Sequence, residues 1–425
     1  MIDTRTSRQK VEAGLRRRRR KEASFKFIGM LATAVGVIFL GVFFANLIGK
    51  GASAFGQTFM QIDVELSEAV IAPNGNIDLQ YADFDSLVRT ALREAIPDAT
   101  SRSDRRELYR IVSVGASYQL RELVEARPQL VGTTQTLWVP ASSNVDMLMK
   151  GNIDADIDEA LRPLSDKQIA WIRIFEESGR LDMRFNKALF TNGDSRDPEL
   201  AGIKGAVMGS LYMLLVTVAL SFPIGVSAAI YLEEFAPKSR WSDLIEVNIN
   251  NLAAVPSIVF GLLGLAVFIN WVALPRSAPL VGGLVLTLLT LPVIIIASRA
   301  AIQAVPPSIR EAALGLGASQ MQVVFHHVLP LALPGMLTGT IIGMSRALGE
   351  SAPLLMIGMV AFIVDVPGSF TDPATALPVQ IYLWADSPER AFAERTSAAI
   401  IVLLGFLLVM NLAAVILRKR MERKW

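Results

Sequence analysis

The sequence predicts an all-α membrane protein of about six transmembrane helices with an inserted extracytoplasmic α+β domain. Of its 425 residues, 52% are hydrophobic and only 19% are charged, and the mean hydropathy is +0.43. This balance is typical of a chain that is partly embedded in a membrane and partly soluble. Long apolar segments recur along the chain, a polar stretch interrupts them, and basic residues collect in alternate loops.

Residues 1–26 are predicted to form a basic cytoplasmic N-terminus, and residues 27–49 the first transmembrane helix. This apolar run is about 23 residues long, enough to cross a hydrocarbon core of about 30 Å. A signal peptide is the alternative, but its apolar part usually covers only about 7–15 residues. The basic run from Arg16 to Lys21 favours a cytoplasmic N-terminus over the alternative of nucleic-acid binding.

Residues 50–200 are predicted to form a periplasmic α+β domain, because they are polar and contain no apolar run long enough to span a membrane. Period-two alternation predicts strands at 60–66 and 181–185, and helical spacing predicts a helix at 84–92. Ser165 and Gln168 form a capping-box signature before another apolar helix.

Residues 201–418 are predicted to form the rest of the membrane core, and residues 419–425 a cytoplasmic tail. The apolar segments predict spans at approximately 205–231, 245–270, 279–298, 333–363 and 396–417. Basic residues place the loops at 232–244 and 299–331, together with both termini, on the cytoplasmic side. The segment 333–363 is too long for one straight span, so Gly349 and Pro353 should bend or divide it.

The polar segment 306–330 is too long for a simple turn between two spans. Pro306 and Pro307 end the preceding helix, Ser308 should cap a new one, and Glu311 should lie in its first turn. Small residues follow, and small side chains let another protein approach closely. This favours a docking surface for a soluble partner over an interfacial helix, since the apolar face available to lipid is weak.

This segment resembles the EAA loop of ABC importer permeases, which seats in a groove of the ATPase subunit. The matching positions are Glu311, Ala312, Ala313, Gly317, Leu329 and Pro330. His327 stands where the family pattern has isoleucine. The resemblance implies a type I ABC importer permease core that is coupled to its ATPase through 306–330.

Arg346 and Glu350 are predicted to share one helix face deep in the membrane, because they are four residues apart. An isolated charge at that depth is costly, so Arg346 needs a partner or water. Two interpretations remain open, namely a structural ion pair and an anion pathway in which Glu350 orients or exchanges with Arg346. An arginine fork suits phosphate-like anions.

Three further segments, at 225–235, 255–262 and 346–354, resemble the phosphate importer permeases of the PstA family. Ser351 stands where that family commonly has threonine, which keeps the hydroxyl. The resemblance implies an inner-membrane complex for phosphate uptake. Its partners would be a PstC-like second permease, two PstB-like ATPase subunits and a PstS-like periplasmic binding protein. Residues 1–200 resemble the N-terminal extension of some bacterial members.

The sequence favours a transport subunit that is not itself an enzyme. It contains no phosphate-binding Gly-x-x-x-x-Gly-Lys-Ser/Thr loop, so ATP hydrolysis is expected from the partner ATPases. Without cysteines and with two histidines, it offers little for a metal site, and neither a catalytic residue nor a cofactor is predicted. The alternatives are a permease for molybdate or sulfate and, in another class, a membrane sensor with residues 50–200 as its receptor.

Overall fold

The computed structural model describes residues 7–73 and 76–421. It has long apolar helices and a small α+β domain between the first two of them. Part of the expected N-terminal segment, residues 1–6, and part of the expected tail, residues 422–425, lie outside the described residues.

The first helix, α1, runs from Ser7 to Gly51 and is therefore longer than the apolar run. It packs on the last helix of the chain only near its own C-terminal end. There Gly51 is required, because a Cβ atom would lie 2.6 Å from the Cδ1 atom of Ile401. The rest of its apolar surface is exposed within this chain.

The α+β domain consists of a three-stranded antiparallel sheet with strand order β2-β1-β3 and several short helices. Its strands are β1 (Gly56–Glu65), β2 (Thr134–Pro140) and β3 (Leu181–Phe185). Its helices are α2 (Glu68–Ile71), α3 (Phe84–Ala95), α4 (Arg102–Tyr109), α5 (Gly115–Ala126), α6 (Ser143–Met149), α7 (Asp166–Glu177) and α8 (Lys187–Thr191). One-turn 3₁₀ helices occupy Ser53–Phe55, Pro128–Leu130 and Glu159–Leu161.

The local patterns in this domain are confirmed. Met60, Ile62 and Val64 of β1 are buried, as strand alternation predicts. The helical spacing at 84–92 corresponds to α3, and its apolar positions are likewise buried. Ser165 and Gln168 form both hydrogen bonds of a capping box at the start of α7. These elements enclose one continuous apolar core.

The remaining helices form the membrane part. They are α9 (Lys204–Ile230), α10 (Arg240–Ala253), α11 (Ser257–Gly264), α12 (Pro279–Gln303), α13 (Pro307–Gly315), α14 (Gln320–Gln322), α15 (Leu329–Gly349), α16 (Ala352–Met356), α17 (Leu377–Ala385) and α18 (Ala391–Met421). Wider π-helical turns extend three of them, at Tyr231–Phe235, Leu265–Trp271 and Val323–Val328. Within the described chain, five helices are long and apolar enough to cross a membrane, or six if the bent pair α10–α11 counts as one.

Two of the predicted spans differ from the structure. The span predicted at 245–270 is broken, because α10 and α11 meet at 100° around Pro256, which cannot continue the helical hydrogen bonding. The span predicted to begin near Leu333 is instead continuous from Gln320 to Gly349. Its predicted division is confirmed, since α15 ends at Gly349 and α16 starts at Ala352.

The centre of the membrane part is the close crossing of α9 and α12. Gly283 permits it, because a Cβ atom there would lie 2.5 Å from the Cβ atom of Val216. The hydroxyl of Thr217 donates to the Gly283 carbonyl oxygen at 3.2 Å. Small residues and hydroxyl bridges of this kind hold helices together where both water and a hydrophobic driving force are missing.

A buried ionic cluster joins the α+β domain to the start of α18. The Lys150 ammonium lies 2.7 Å from the Asp146 carboxylate and 2.8 Å from the Glu394 carboxylate, and its side chain is only 3% exposed. Asp146 also accepts hydrogen bonds from the backbone N–H and the hydroxyl of Thr58. Nearby, burial raises the pKa of the Glu199 carboxyl above its usual value. The domain is therefore tied to the last membrane helix by charges that are costly to separate.

Replacing Asp146 with alanine should destabilise this junction. The change leaves Lys150 buried with one carboxylate and leaves the Thr58 N–H without its acceptor, at a cost of about 3–5 kcal/mol. Thermal unfolding of the purified full chain should then begin at a clearly lower temperature. Asp182→Ala is the matched control, because Asp182 pairs with Arg184 at the surface and such pairs contribute less than about 1 kcal/mol. Equal unfolding temperatures for the two variants would contradict the assignment.

Candidate functional site

The segment 306–330 begins with the short helix α13. The structure corrects the predicted start, since Pro306 is the N-cap residue and Pro307 is the first helical residue. A proline at this position has the backbone angle that the helix needs and lacks only an N–H that would be unbonded anyway. Ser308 is therefore not the cap, and Glu311 lies just beyond the first turn.

Helix α13 is anchored on one side and open on the other. Ala313 is 5% exposed and packs in an apolar cluster with residues of the preceding and following helices, including Ile302, Val324 and Val328. On the opposite side Glu311, Ala312, Leu314, Gly315 and Leu316 are exposed. Leu316 is 90% exposed, which is unusual for so large an apolar side chain. The open side is thus a small, partly apolar surface.

Gly317 terminates α13 with a left-handed residue, at φ +84°. The N–H of Gly317 bonds to the Leu314 carbonyl at 2.9 Å, and the N–H of Ala318 bonds to the Ala313 carbonyl at 3.1 Å. This pair of bonds is the Schellman motif, which satisfies the last carbonyls of a helix and favours glycine at this position. Gly317 is therefore needed for the backbone conformation, in addition to presenting a small surface.

Arg310 fastens α13 to two membrane helices. Its guanidinium donates to the carbonyl oxygens of Val305 at 2.7 Å and Ile302 at 3.0 Å, at the end of α12. It also donates to the Glu234 carboxylate, at 2.8 and 3.1 Å, in the π turn that follows α9. Gln320 donates to the Glu234 carbonyl oxygen as well. We call Arg310 with Glu234 the arginine clamp.

A second ion cluster lies beside the clamp. Arg299, near the end of α12, pairs with Glu233 at 2.5 Å and with Glu246 of α10 at 2.9 Å. Within the described chain, neither Glu233 nor Glu234 pairs with a residue close to it in sequence. Their partners are 66 and 76 residues away, so no local spacing could have indicated them.

The segment then continues without a break into α15. Ser319 and Gln322 form a capping box, a signature present in the sequence that the pattern analysis missed. The π turn follows, with His326 and His327 exposed, and Leu329 and Pro330 begin α15. The six residues of the predicted motif therefore lie in one structural unit, from α13 to the first turn of α15.

Arg346 and Glu350 lie at the far end of α15. Arg346 is in the last helical turn, while Glu350 is already the C-cap residue with extended backbone. Arg346 Nε is 3.5 Å from a Glu350 carboxylate oxygen, and its side chain is 47% exposed within this chain. Ser351 follows as the N-cap residue of α16. Arg346 is thus only loosely paired, beside a break between two helices.

The two groups of predicted residues are well separated. Arg346 is 17 positions after Leu329 on α15, about 26 Å at a rise of about 1.5 Å per residue. Between them, a polar contact links α15 to α18, because the Ser345 hydroxyl donates to Asn411 Oδ1 at 2.8 Å. The sequence analysis did not single out Asn411, although a polar side chain inside an apolar span is a recognisable signal.

Two family models match this chain. Residues 221–423 match "Binding-protein-dependent transport system inner membrane component". Residues 12–159 match a domain of unknown function, DUF3333. The first match includes α13, the clamp and the α15–α16 break, and the second covers most of α1 and much of the α+β domain.

Three curated proteins are each similar to about half of this chain. "Probable ABC transporter permease protein YqgI" of Bacillus subtilis is 32% identical over 50% of this chain and 76% of that protein. "Phosphate transport system permease protein PstA 1" of Mycobacterium tuberculosis is 32% identical over 51% of this chain and 70% of that protein. "Phosphate transport system permease protein PstA" of Haemophilus influenzae is 30% identical over 53% of this chain and 78% of that protein.

Alanine substitutions at the two glycines of this turn should have opposite effects. Gly317→Ala forces a side chain into a left-handed conformation, at a cost of about 1 kcal/mol or more. Gly315→Ala adds a better helix former in open space, with a gain of up to about 1 kcal/mol. Amide hydrogen exchange of residues 312–318 in the purified chain should accelerate in the first variant and slow in the second. The same change in both would show that the Schellman turn does not hold this helix end.

Proposed function

The chain belongs to the family of binding-protein-dependent transport system inner membrane components, as a PstA-type permease subunit of an ABC importer, and we propose that it carries inorganic phosphate across the inner membrane. In such an importer ATP is hydrolysed by separate ATPase subunits. One observation carries the proposal. The helix α15 connects the segment of the exposed helix α13, at one end, with the loosely paired Arg346 at the other end.

We propose that α13 docks on the ATPase. Its exposed side offers Glu311, Leu314 and Leu316 to a partner, while Ala313 holds the other side against the membrane part. Side chains on the open side are small at Ala312 and Gly315, so a groove can close around the helix. The remaining EAA positions would then shape the backbone between α13 and the first turn of α15, namely Gly317, Leu329 and Pro330.

Closure of the ATPase subunits would displace α13, and the clamp would transmit this displacement to the membrane helices. Arg310 transmits it to α9 through Glu234 and to α12 through the two carbonyl oxygens. The continuous helix from Gln320 to Gly349 would carry it toward Arg346. This route would switch the pathway between outward-open and inward-open forms.

Arg346 is the residue that we propose to meet phosphate in transit. Its guanidinium is about half exposed within the chain and lies 3.5 Å from Glu350, so an anion can compete for its donors. Glu350 would pair with the guanidinium again when the anion leaves, and the Ser351 hydroxyl would donate a further hydrogen bond to the anion. A guanidinium at this depth lowers the electrostatic cost of moving an anion through the membrane.

The proposed complex contains a PstC-like permease, two PstB-like ATPase subunits and a PstS-like phosphate-binding protein. Basic residues around α13 and at both ends of the chain support cytoplasmic termini. The 50–200 domain would then be periplasmic, on the side where the binding protein delivers its cargo. The alternative is a permease for sulfate or molybdate, which competition in the uptake assay distinguishes from a phosphate permease.

An acidic side chain on the open side of α13 should weaken ATPase binding. Leu316→Asp removes an apolar contact of about 1.5–3 kcal/mol, which corresponds to roughly a tenfold to hundredfold loss of affinity. Less ATPase should co-purify with the variant permease. Leu161→Asp, at an exposed leucine of the α+β domain, is the control and should retain normal binding. Unchanged ATPase recovery with Leu316→Asp would exclude α13 as the docking helix.

Arg346→Ala should reduce uptake of radiolabelled phosphate by about tenfold or more, because each charge-assisted hydrogen bond contributes about 1.5–3 kcal/mol. Arg346→Lys should be intermediate, since it keeps the charge but loses the planar fork. The assay compares cells that carry the whole complex, with subunit assembly checked by co-purification and with sulfate and molybdate as competitors.

Normal phosphate uptake by the Arg346→Ala complex would reduce this residue to one half of a structural ion pair. Wild-type uptake that sulfate or molybdate suppresses would instead overturn the substrate, while the permease assignment would stand.

A further inference from the structure

The α+β domain carries an exposed aromatic patch outside its apolar core. Three phenylalanine rings stack in a row, with Phe190 in the middle, 5.8 Å from Phe55 and 5.7 Å from Phe185 between ring centroids. Phe185 is 61% exposed and Phe190 is 40% exposed, and Met183 beside them is 52% exposed. We call these four residues the phenylalanine patch. Apolar clusters of this kind on a folded domain mark an interaction surface.

The patch lies at the end of the domain that is nearest to the membrane helices. Phe55 ends the 3₁₀ turn that follows α1, and Phe185 pairs with Gly56 at the first position of β1. Phe55 is six residues beyond the end of the apolar run at Gly49, about 9 Å away at the helical rise of about 1.5 Å per residue. The headgroup zone of a bilayer is about 5–8 Å thick on each side. Phe55 therefore lies near the outer edge of the headgroup zone.

A second membrane helix starts on the other side of the patch. Phe190 is in α8, and the N–H of Ile203, the residue before α9, bonds to the Leu189 carbonyl at 2.8 Å. The rings thus stand between the ends of two membrane helices.

The patch is held rigidly. Asn186 is fully buried, its side-chain amide donates to the Ala54 carbonyl at 3.0 Å, and its N–H donates to the Phe55 carbonyl at 2.8 Å. These bonds fix the two segments that carry the rings before any partner arrives. Rigid apolar groups lose little conformational entropy on insertion into a partner surface.

We propose that the phenylalanine patch inserts into the headgroup region of the lipid bilayer, so that the α+β domain rests on the membrane. Exposed Lys50 and Lys187 are close to the ring residues in sequence, and their charge suits the phosphate groups of lipids. Apolar rings with basic neighbours are the composition of segments that lie in the membrane interface. The proposal concerns the anchoring of the domain and is independent of the transported substrate.

Spin labels test this directly, because the chain has no native cysteine. Single variants Phe185→Cys and Phe190→Cys of the full chain are labelled with a nitroxide and reconstituted with the partner subunits into phospholipid nanodiscs. Power-saturation EPR then compares collisions with oxygen, which concentrates in lipid, and with a water-soluble nickel chelate. Tyr81→Cys is the control, because this 80% exposed residue lies in the loop between α2 and α3, which follows the end of β1 opposite to Gly56.

Labels at the two phenylalanine positions should show an oxygen-to-nickel accessibility ratio several-fold above that of the Tyr81 control. A ratio equal to the control would place the patch in water and overturn the proposal. Low accessibility to both reagents would show that a protein surface covers the patch, and would overturn it too. If either cysteine variant fails to assemble, Met183→Cys in the same patch provides the same measurement.

Discussion

The arginine clamp is the interaction on which the working parts of the membrane core depend. Helix α13 has nine residues, of which only Ala313 is buried, so packing alone would let the folded helix shift relative to the membrane helices. Arg310 supplies what packing does not, because its planar guanidinium reaches two carbonyl oxygens and one carboxylate at once. A lysine could not make this set of bonds, and loss of Glu234 would leave the guanidinium half satisfied.

The architecture separates three tasks along the chain. The clamp and α13 stand at one end of α15, the Arg346–Glu350 pair stands at the other, and the α+β domain attaches to α18 through the Lys150 cluster. The clamp and the Lys150 cluster both use buried or half-buried charges. Such charges are poor general stabilisers, but they define one arrangement, since separating them leaves an uncompensated ion in a low-dielectric setting. A membrane protein that has to move as connected rigid parts benefits from joints of this kind.

Local sequence patterns predicted most of the helices and strands, whereas contacts between distant residues determine how the candidate site is held together. Strand alternation at Met60–Val64, the capping box at Ser165 and the break at Gly349 are encoded within a few residues, and each appears in the structure. The sequence predicts one span at 245–270, whereas the structure bends it by 100° at Pro256, because the angle depends on how α10 and α11 each pack against α12. The clamp joins positions 76 residues apart, so no periodicity or spacing could reveal it.

The most direct test of this account measures phosphate uptake and ATP hydrolysis together in the reconstituted complex that carries Arg310→Met. Methionine keeps much of the apolar stem but removes every hydrogen bond of the clamp. The account predicts that the complex still assembles and still hydrolyses ATP, while the phosphate transported per ATP falls severalfold. Lys238→Met, at an exposed residue on the same side, is the control and should leave that ratio unchanged. An unchanged ratio in Arg310→Met would show that the push from the ATPase reaches the membrane helices by another route.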